Sequence, residues 1–187
     1  LLGLHQIENA GMAIALLDTF CQEDGRELPA NILIAQALEE TRWPGRLEVV
    51  SRNPLMILDG AHNPHAIKAL LATLQERFAD YHKEILFTCI KTKALEEMLD
   101  LLGTMPDTDL TLTHFDDSRA TDESVLKEAA KSRNLSYQDW QDFLEQKLTD
   151  KKEEKQTVRI VTGSLYFLSQ VRAYLMERKN ENGYTKD

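Results

Sequence analysis

Leu55-Met56-Ile57-Leu58-Asp59-Gly60-Ala61-His62-Asn63-Pro64 is the stretch whose reading decides the fold. A short apolar run reads as a strand and ends in an acid. Gly60 relaxes the turn, and Asn63 and Pro64 stand where the N-cap and first residue of a helix belong. A strand feeding a helix through a tight turn is the unit of an α/β domain with a largely parallel sheet. Val158-Arg159-Ile160-Val161-Thr162 followed by Gly163-Ser164 is a second such exit, on the cleanest strand of the chain.

Outward from these two exits the alternation continues. The pattern predicts helix 64–79, strand 84–89, helix 93–103, strand 109–114, helices 121–132 and 137–148, strand 157–162 and helix 164–178. Upstream, Arg46 to Ser51 and Leu55 to Leu58 flank the turn-forming Arg52-Asn53-Pro54 and are expected to pair as a hairpin. Before Trp43-Pro44-Gly45 the periodicity is helical: His5 to Phe20 and Pro29 to Glu40 form a pair that needs another surface to pack against. We place a boundary there, with residues 1–42 belonging to a preceding unit and 43–187 forming an α/β domain. The charged run 149–156 reads as a solvated loop and the polar tail 180–187 as frayed. The chain begins at Leu1 without Met and enters a helix almost at once, as a segment of a longer protein would.

Composition narrows the partners. The formal net charge of −9, with both signs mixed along the 187 residues, argues against nucleic acid or an anionic membrane as a partner. No apolar run approaches the roughly 18 residues of a spanning helix. Cys21 and Cys89 lack metal or disulfide spacing and read as buried thiols in a reducing cytoplasm.

In open parallel sheets ligands bind at the carboxyl ends of the strands, so the candidate chemistry lies at the exits. Asp59 and His62 are needed neither to cap a helix nor to fill a core, and both are expected to project toward a ligand. Ser164 either caps its helix or meets a carboxylate. Lys91-Thr92-Lys93 could meet phosphates or be surface lysines, and Arg119 sits among the acids Asp116, Asp117 and Asp122. No G-x-x-x-x-G-K-[ST] cradle, G-x-G-x-x-G turn or His-Glu-x-x-His pair occurs, so a bound nucleotide must have its triphosphate held elsewhere.

Four ordered segments, His5-Gln6-Ile7-Glu8-Asn9-Ala10, Trp43-Pro44-Gly45-Arg46-Leu47-Glu48, Leu58 to Pro64 and Thr162-Gly163-Ser164-Leu165-Tyr166, resemble signature segments of the folylpolyglutamate synthase and dihydrofolate synthase family of the Mur ligase superfamily. The resemblance implies a Rossmann-like, mostly parallel sheet flanked by helices, preceded by the last helices of a P-loop ATPase domain. It implies an ATP- and magnesium-dependent ligase that activates the terminal carboxylate of a folate as an acyl phosphate and joins L-glutamate to it. Metal ligands and the phosphate loop are expected in the preceding domain, so this segment alone is expected to be inactive. By the same resemblance Asn9 contacts adenine, Arg46 the phosphates and Asp59 the ribose, while His62 and Ser164 serve the incoming glutamate and His62 the transfer itself. Each role suits its side chain: an amide reads a base edge, a guanidinium grips phosphate, a carboxylate accepts from hydroxyls. A cytoplasmic monomer is expected. Lys91-Thr92-Lys93 departs from the family in lacking an acid. The competing reading is a stand-alone, non-catalytic α/β module that binds a small anionic ligand.

Overall fold

The computed structural model describes residue 3 and residues 5–91, 94–149 and 156–181. Thr92, Lys93, most of the charged run and residues 182–187 lie outside the described residues, and with them the family departure at Lys91-Thr92-Lys93. The elements are α1 (His5–Glu23), α2 (Asn31–Glu40), β1 (Glu48–Arg52), β2 (Leu55–Asp59), α3 (Pro64–Arg77), β3 (His82–Phe87), α4 (Leu95–Leu102), β4 (Thr108–Leu112), α5 (Glu123–Ser132), β5 (Ser136–Tyr137), α6 (Trp140–Thr149), β6 (Thr157–Thr162) and α7 (Leu165–Glu181).

The six strands form one sheet in the order β1-β2-β6-β3-β4-β5. Strand β1 runs antiparallel to β2, with a bulge between Val49 and Ser51. All other neighbouring pairs are parallel. The expected hairpin and parallel sheet are therefore present. The two-residue β5 was not foreseen, and it displaces the start of the following helix from 137 to Trp140.

Period-two alternation sorts the core onto two faces. Ile57, Ile85, Phe87, Leu112 and Ile160 pack with α3, α4 and α5. Met56, Leu58, Leu86 and Val161 pack with α6 and α7. The chain steps from β2 to β3, β4 and β5 with helices on one face, then returns through α6 to insert β6 between β2 and β3. Helices leaving adjacent strands β2 and β6 thus depart to opposite faces. That divergence opens a crevice at the carboxyl ends of these strands, the position where open α/β sheets take ligands.

The helical pair stands apart from this layer. Among the described residues neither helix makes extended contact with the sheet. No residue of α2 is buried, and Ile7 and Met12 are each 68% exposed. Leu17, Leu33, Ile34 and Ala37 line an apolar groove of about 430 Å³ between the two helices.

Gly163 is the tightest point of the sheet. Its φ is +111°, and a Cβ there would lie 1.7 Å from the Thr88 carbonyl oxygen and 2.8 Å from the Phe87 ring. Backbone cannot yield as a flexible side chain can, so Gly163→Ala combines strain with a clash. We expect it to lower unfolding free energy by more than about 3 kcal/mol, read from urea denaturation; a loss below about 1 kcal/mol would contradict this close approach.

Candidate functional site

The crevice is assembled from the turn 43–47, the β2 exit and the β6 exit. Gly45 and Leu47 both have positive φ, +72° and +44°, so Arg46 sits at the tip of a tightly wound turn. Left-handed backbone at a leucine is costly and persists only where surrounding bonds enforce it. Three bonds do so here. The Leu47 N–H donates to Asp59 Oδ2 at 3.0 Å, the Gly45 N–H donates to Glu48 Oε2 at 2.9 Å, and the Gly45 carbonyl accepts from the Gly60 N–H at 2.7 Å.

Asp59 needs correction. It does not project freely toward a ligand: it is 7% exposed, and its Oδ1 accepts from the Ala61 N–H at 2.9 Å. One carboxylate therefore pins two turns, the one bearing Arg46 and the one bearing His62. An ionised acceptor is well suited to backbone donors in a buried place.

His62 is half-buried, and its Nδ1 lies 2.7 Å from the Gly60 carbonyl oxygen. A carbonyl can only accept, so Nδ1 carries the proton, and Nε2 has no hydrogen bond among the described residues. Asn63 caps α3 as its sequence suggests, its side chain accepting from the Ala66 N–H at 2.9 Å with Pro64 behind it. Ser164 is 3% exposed and its Oγ accepts weakly, at 3.5 Å, from the Phe167 N–H. It does cap α7, and the first-turn N–H groups at 165 and 166 remain beyond the internal helix bonds, where they favour an anion. Arg46 has no side-chain hydrogen bond or ion pair among the described residues. Asn9 is exposed on α1, where its amide donates to Gln6 Oε1 at 3.2 Å, and no contact among the described residues joins it to the crevice.

The structure thus bonds the turns that bear Arg46 and His62 to each other through Asp59 and Gly60, with Ser164 two residues past Thr162, the β6 residue that pairs with Asp59. It leaves Asn9 apart. Sequence reasoning missed Glu48 as a part of this site, although it falls inside a quoted motif, and gave no signal for Arg172, whose Nε lies 3.1 Å from Glu48 Oε1.

A family model described as Mur ligase, glutamate ligase domain, matches residues 45–165. The chain belongs to the Mur ligase family. The dihydrofolate synthase/folylpolyglutamate synthase of Bacillus subtilis strain 168 is 32% identical over 175 residues, covering 94% of this chain and 40% of that protein. Among solved structures, the Mycobacterium tuberculosis folylpolyglutamate synthase complexed with ADP and AMPPCP superposes with a TM-score of 0.80 at 26% identity, over 94% of this chain and 41% of that one. The bifunctional folylpolyglutamate synthase/dihydrofolate synthase of Yersinia pestis, complexed with AMPPNP and a Mn ion, gives 0.66 at 28% identity, over 80% and 36%. This Mur ligase chain spans about 40% of the length of the relatives it matches.

The loop that leaves β4 is held by charge and by α7. Arg119 grips Asp117 in a fork, Nε to Oδ1 at 2.8 Å and Nη2 to Oδ2 at 2.6 Å, and its guanidinium lies 3.4 Å from the centre of the Tyr166 ring. Gln170 donates to the Asp116 carbonyl at 2.9 Å, so the β4 exit loop is fastened to α7. The Arg119 side chain, then its backbone N–H, hold the Asp117 carboxyl down to about 2 from an ordinary 3.8. A depressed carboxyl contributes stability that is complete above its unfolded value and is lost as pH falls through the folded one. The gap in melting temperature between wild type and Asp117→Asn is therefore expected to narrow as pH drops from about 4 to about 2; a gap constant over that window would refute the assignment.

Proposed function

We propose that this chain is the C-terminal part of an ATP-dependent folylpolyglutamate synthase, which joins L-glutamate to the terminal carboxylate of a (tetrahydro)folate by way of an acyl phosphate. The observation that carries the reading is the Arg46 turn: a guanidinium without a partner among the described residues, on backbone wound and pinned from three sides, at the switch point of the sheet. Such preorganisation suits a group that must meet phosphate oxygens without rearranging.

The remaining residues divide the work. Arg46 would grip the nucleotide phosphates. Asp59, at the end of β2 between the two turns, would accept from the ribose. Asn9 would read the adenine from α1, which requires the helical pair and the α/β layer to face one cleft. The α7 N-terminus at Ser164 would hold a carboxylate of the incoming glutamate. His62, its Nδ1 proton committed to Gly60, would present Nε2 to the attacking amine or the developing charge.

The Arg46 guanidinium suits the phosphates of a nucleotide, whereas the donors of this cluster among the described residues offer no ligand set for a magnesium ion. Among the described residues the one group with metal-ligand spacing is His82, Glu84 and Asp109. It sits at the amino-terminal end of the parallel strands, and its Glu84 is already bound by Arg159 and Lys147. The magnesium ligands, with the phosphate loop, would belong to a preceding ATPase domain. Residues 1–42 would be the last helices of that domain and 43–187 the ligase domain. The exposed apolar face of α1 and α2 and a family match beginning at Gly45 support this division. The full enzyme is taken as a cytoplasmic monomer with ATP, folate and glutamate as its ligands.

In the full-length enzyme His62→Ala should lower turnover by roughly 100-fold, while the loss of one partly exposed hydrogen bond costs about 1 kcal/mol. Steady-state ADP release dependent on glutamate and folate, paired with thermal unfolding, tests this. A variant that melts early yet turns over normally would defeat the assignment. The 187-residue chain alone should show no glutamate-dependent ATP hydrolysis, and activity above a buffer control would overturn the two-domain reading.

A further inference from the structure

We infer that Glu48 and Arg172 form a positioning brace that sets the Arg46 turn from helix α7, an inference that rests on Arg46 being the residue that meets the nucleotide phosphates. Glu48 is the first residue of β1, and its two carboxylate oxygens are divided between two tasks. Oε2 accepts from the Gly45 N–H at 2.9 Å, and Oε1 lies 3.1 Å from Arg172 Nε. The first bond is local to the turn. The second reaches across 124 residues of sequence to the middle of α7. Both side chains are partly buried, at 23% and 36% exposure, so the pair is shielded from full solvent screening.

Packing reinforces the same contact. A Cβ on Gly45 would come within 3.3 Å of Leu168 Cδ1 and 3.6 Å of Leu165 Cδ2, and one on Gly60 within 2.5 Å of Leu165 Cδ2. The two glycine turns therefore lie directly on the first turns of α7. Pro44, Gly45, Glu48, Leu165, Leu168 and Arg172 line one continuous recess of about 380 Å³ along this seam.

Without Arg172, the Glu48 carboxylate has no partner on α7 and is free to swing toward water. Gly45 then loses an acceptor, and the positive φ values on either side of Arg46 lose one of their three restraints. The helix whose N-terminus carries Ser164 thus also carries the anchor of Arg46.

The test uses the full-length enzyme. Arg172→Leu should raise KM for ATP about tenfold, with kcat and KM for glutamate within about twofold, and Arg172→Lys should recover most of the loss. Because the brace acts through Arg46, Arg172→Leu should add nothing to an Arg46→Ala variant, the signature of two residues in one chain of action. Independent, additive losses in that double variant would overturn the brace, and so would equal losses for all substrates accompanied by a lower Tm. Hydrogen exchange at the Gly45 amide separates this inference from the function on which it rests: exchange should quicken in both Glu48→Gln and Arg172→Leu. Unchanged exchange sinks the brace even if the enzyme is a ligase. Quickened exchange with an ATP KM indifferent to Arg46→Ala keeps the brace as a structural strut but overturns both the phosphate reading and the positioning role drawn from it.

Discussion

The Asp59 carboxylate is the constraint on which the crevice depends. It ends β2, is nearly buried, and spends one oxygen on the Leu47 amide and the other on the Ala61 amide. Two turns that would otherwise move independently become one object. A neutral amide at this position would offer one acceptor and present a donor to the second backbone N–H, leaving a buried group unsatisfied at a cost of about 1–3 kcal/mol. Loss of function on replacing Asp59 therefore cannot by itself be read as loss of a ligand contact.

A second buried charge cluster serves the sheet itself. Arg159, on β6, is 1% exposed and lies with its Nε 2.9 Å from Glu84 Oε2 on β3, and Lys147 of α6 bonds the other Glu84 oxygen. The Arg159 Nε and Glu84 Oε2 contact is close but not aligned as a hydrogen bond, so charge holds it. Buried pairs of this kind add little net stability, yet removing one member strands the others. They tie the returning helix α6 to β3 and β6, and so help fix the order on which the crevice depends.

Much of this was legible in the sequence because the relevant signals are local. The Asn63-Pro64 helix start and the β6 run each depend on a few neighbouring residues, and each stands where the pattern placed it. What was not legible depends on contacts between distant segments. Asp59 looked free because its donors, Leu47 and Ala61, are backbone groups that any sequence supplies. Arg172 falls on an unremarkable helical position and is noticed only once α7 lies against β1. Strand β5 is too short, at two residues, for alternation to register at all. Asn9 was assigned by resemblance alone, and among the described residues its helix makes no extended contact with the sheet.

The two edges of the sheet have a bearing on how such a chain can associate. At one edge β1 is five residues long and broken by a bulge between Val49 and Ser51. At the other, β5 offers two residues. An intruding strand needs a long, flat row of free backbone donors and acceptors, and neither edge provides one. Propagation by strand addition, the usual route from a parallel α/β layer to amyloid-like stacking, is blocked at both ends. The larger apolar surface that this chain leaves uncovered is therefore a helical one, the side of α1 and α2 that bears Ile7, Met12, Leu16, Phe20 and Ile32, and not a strand edge.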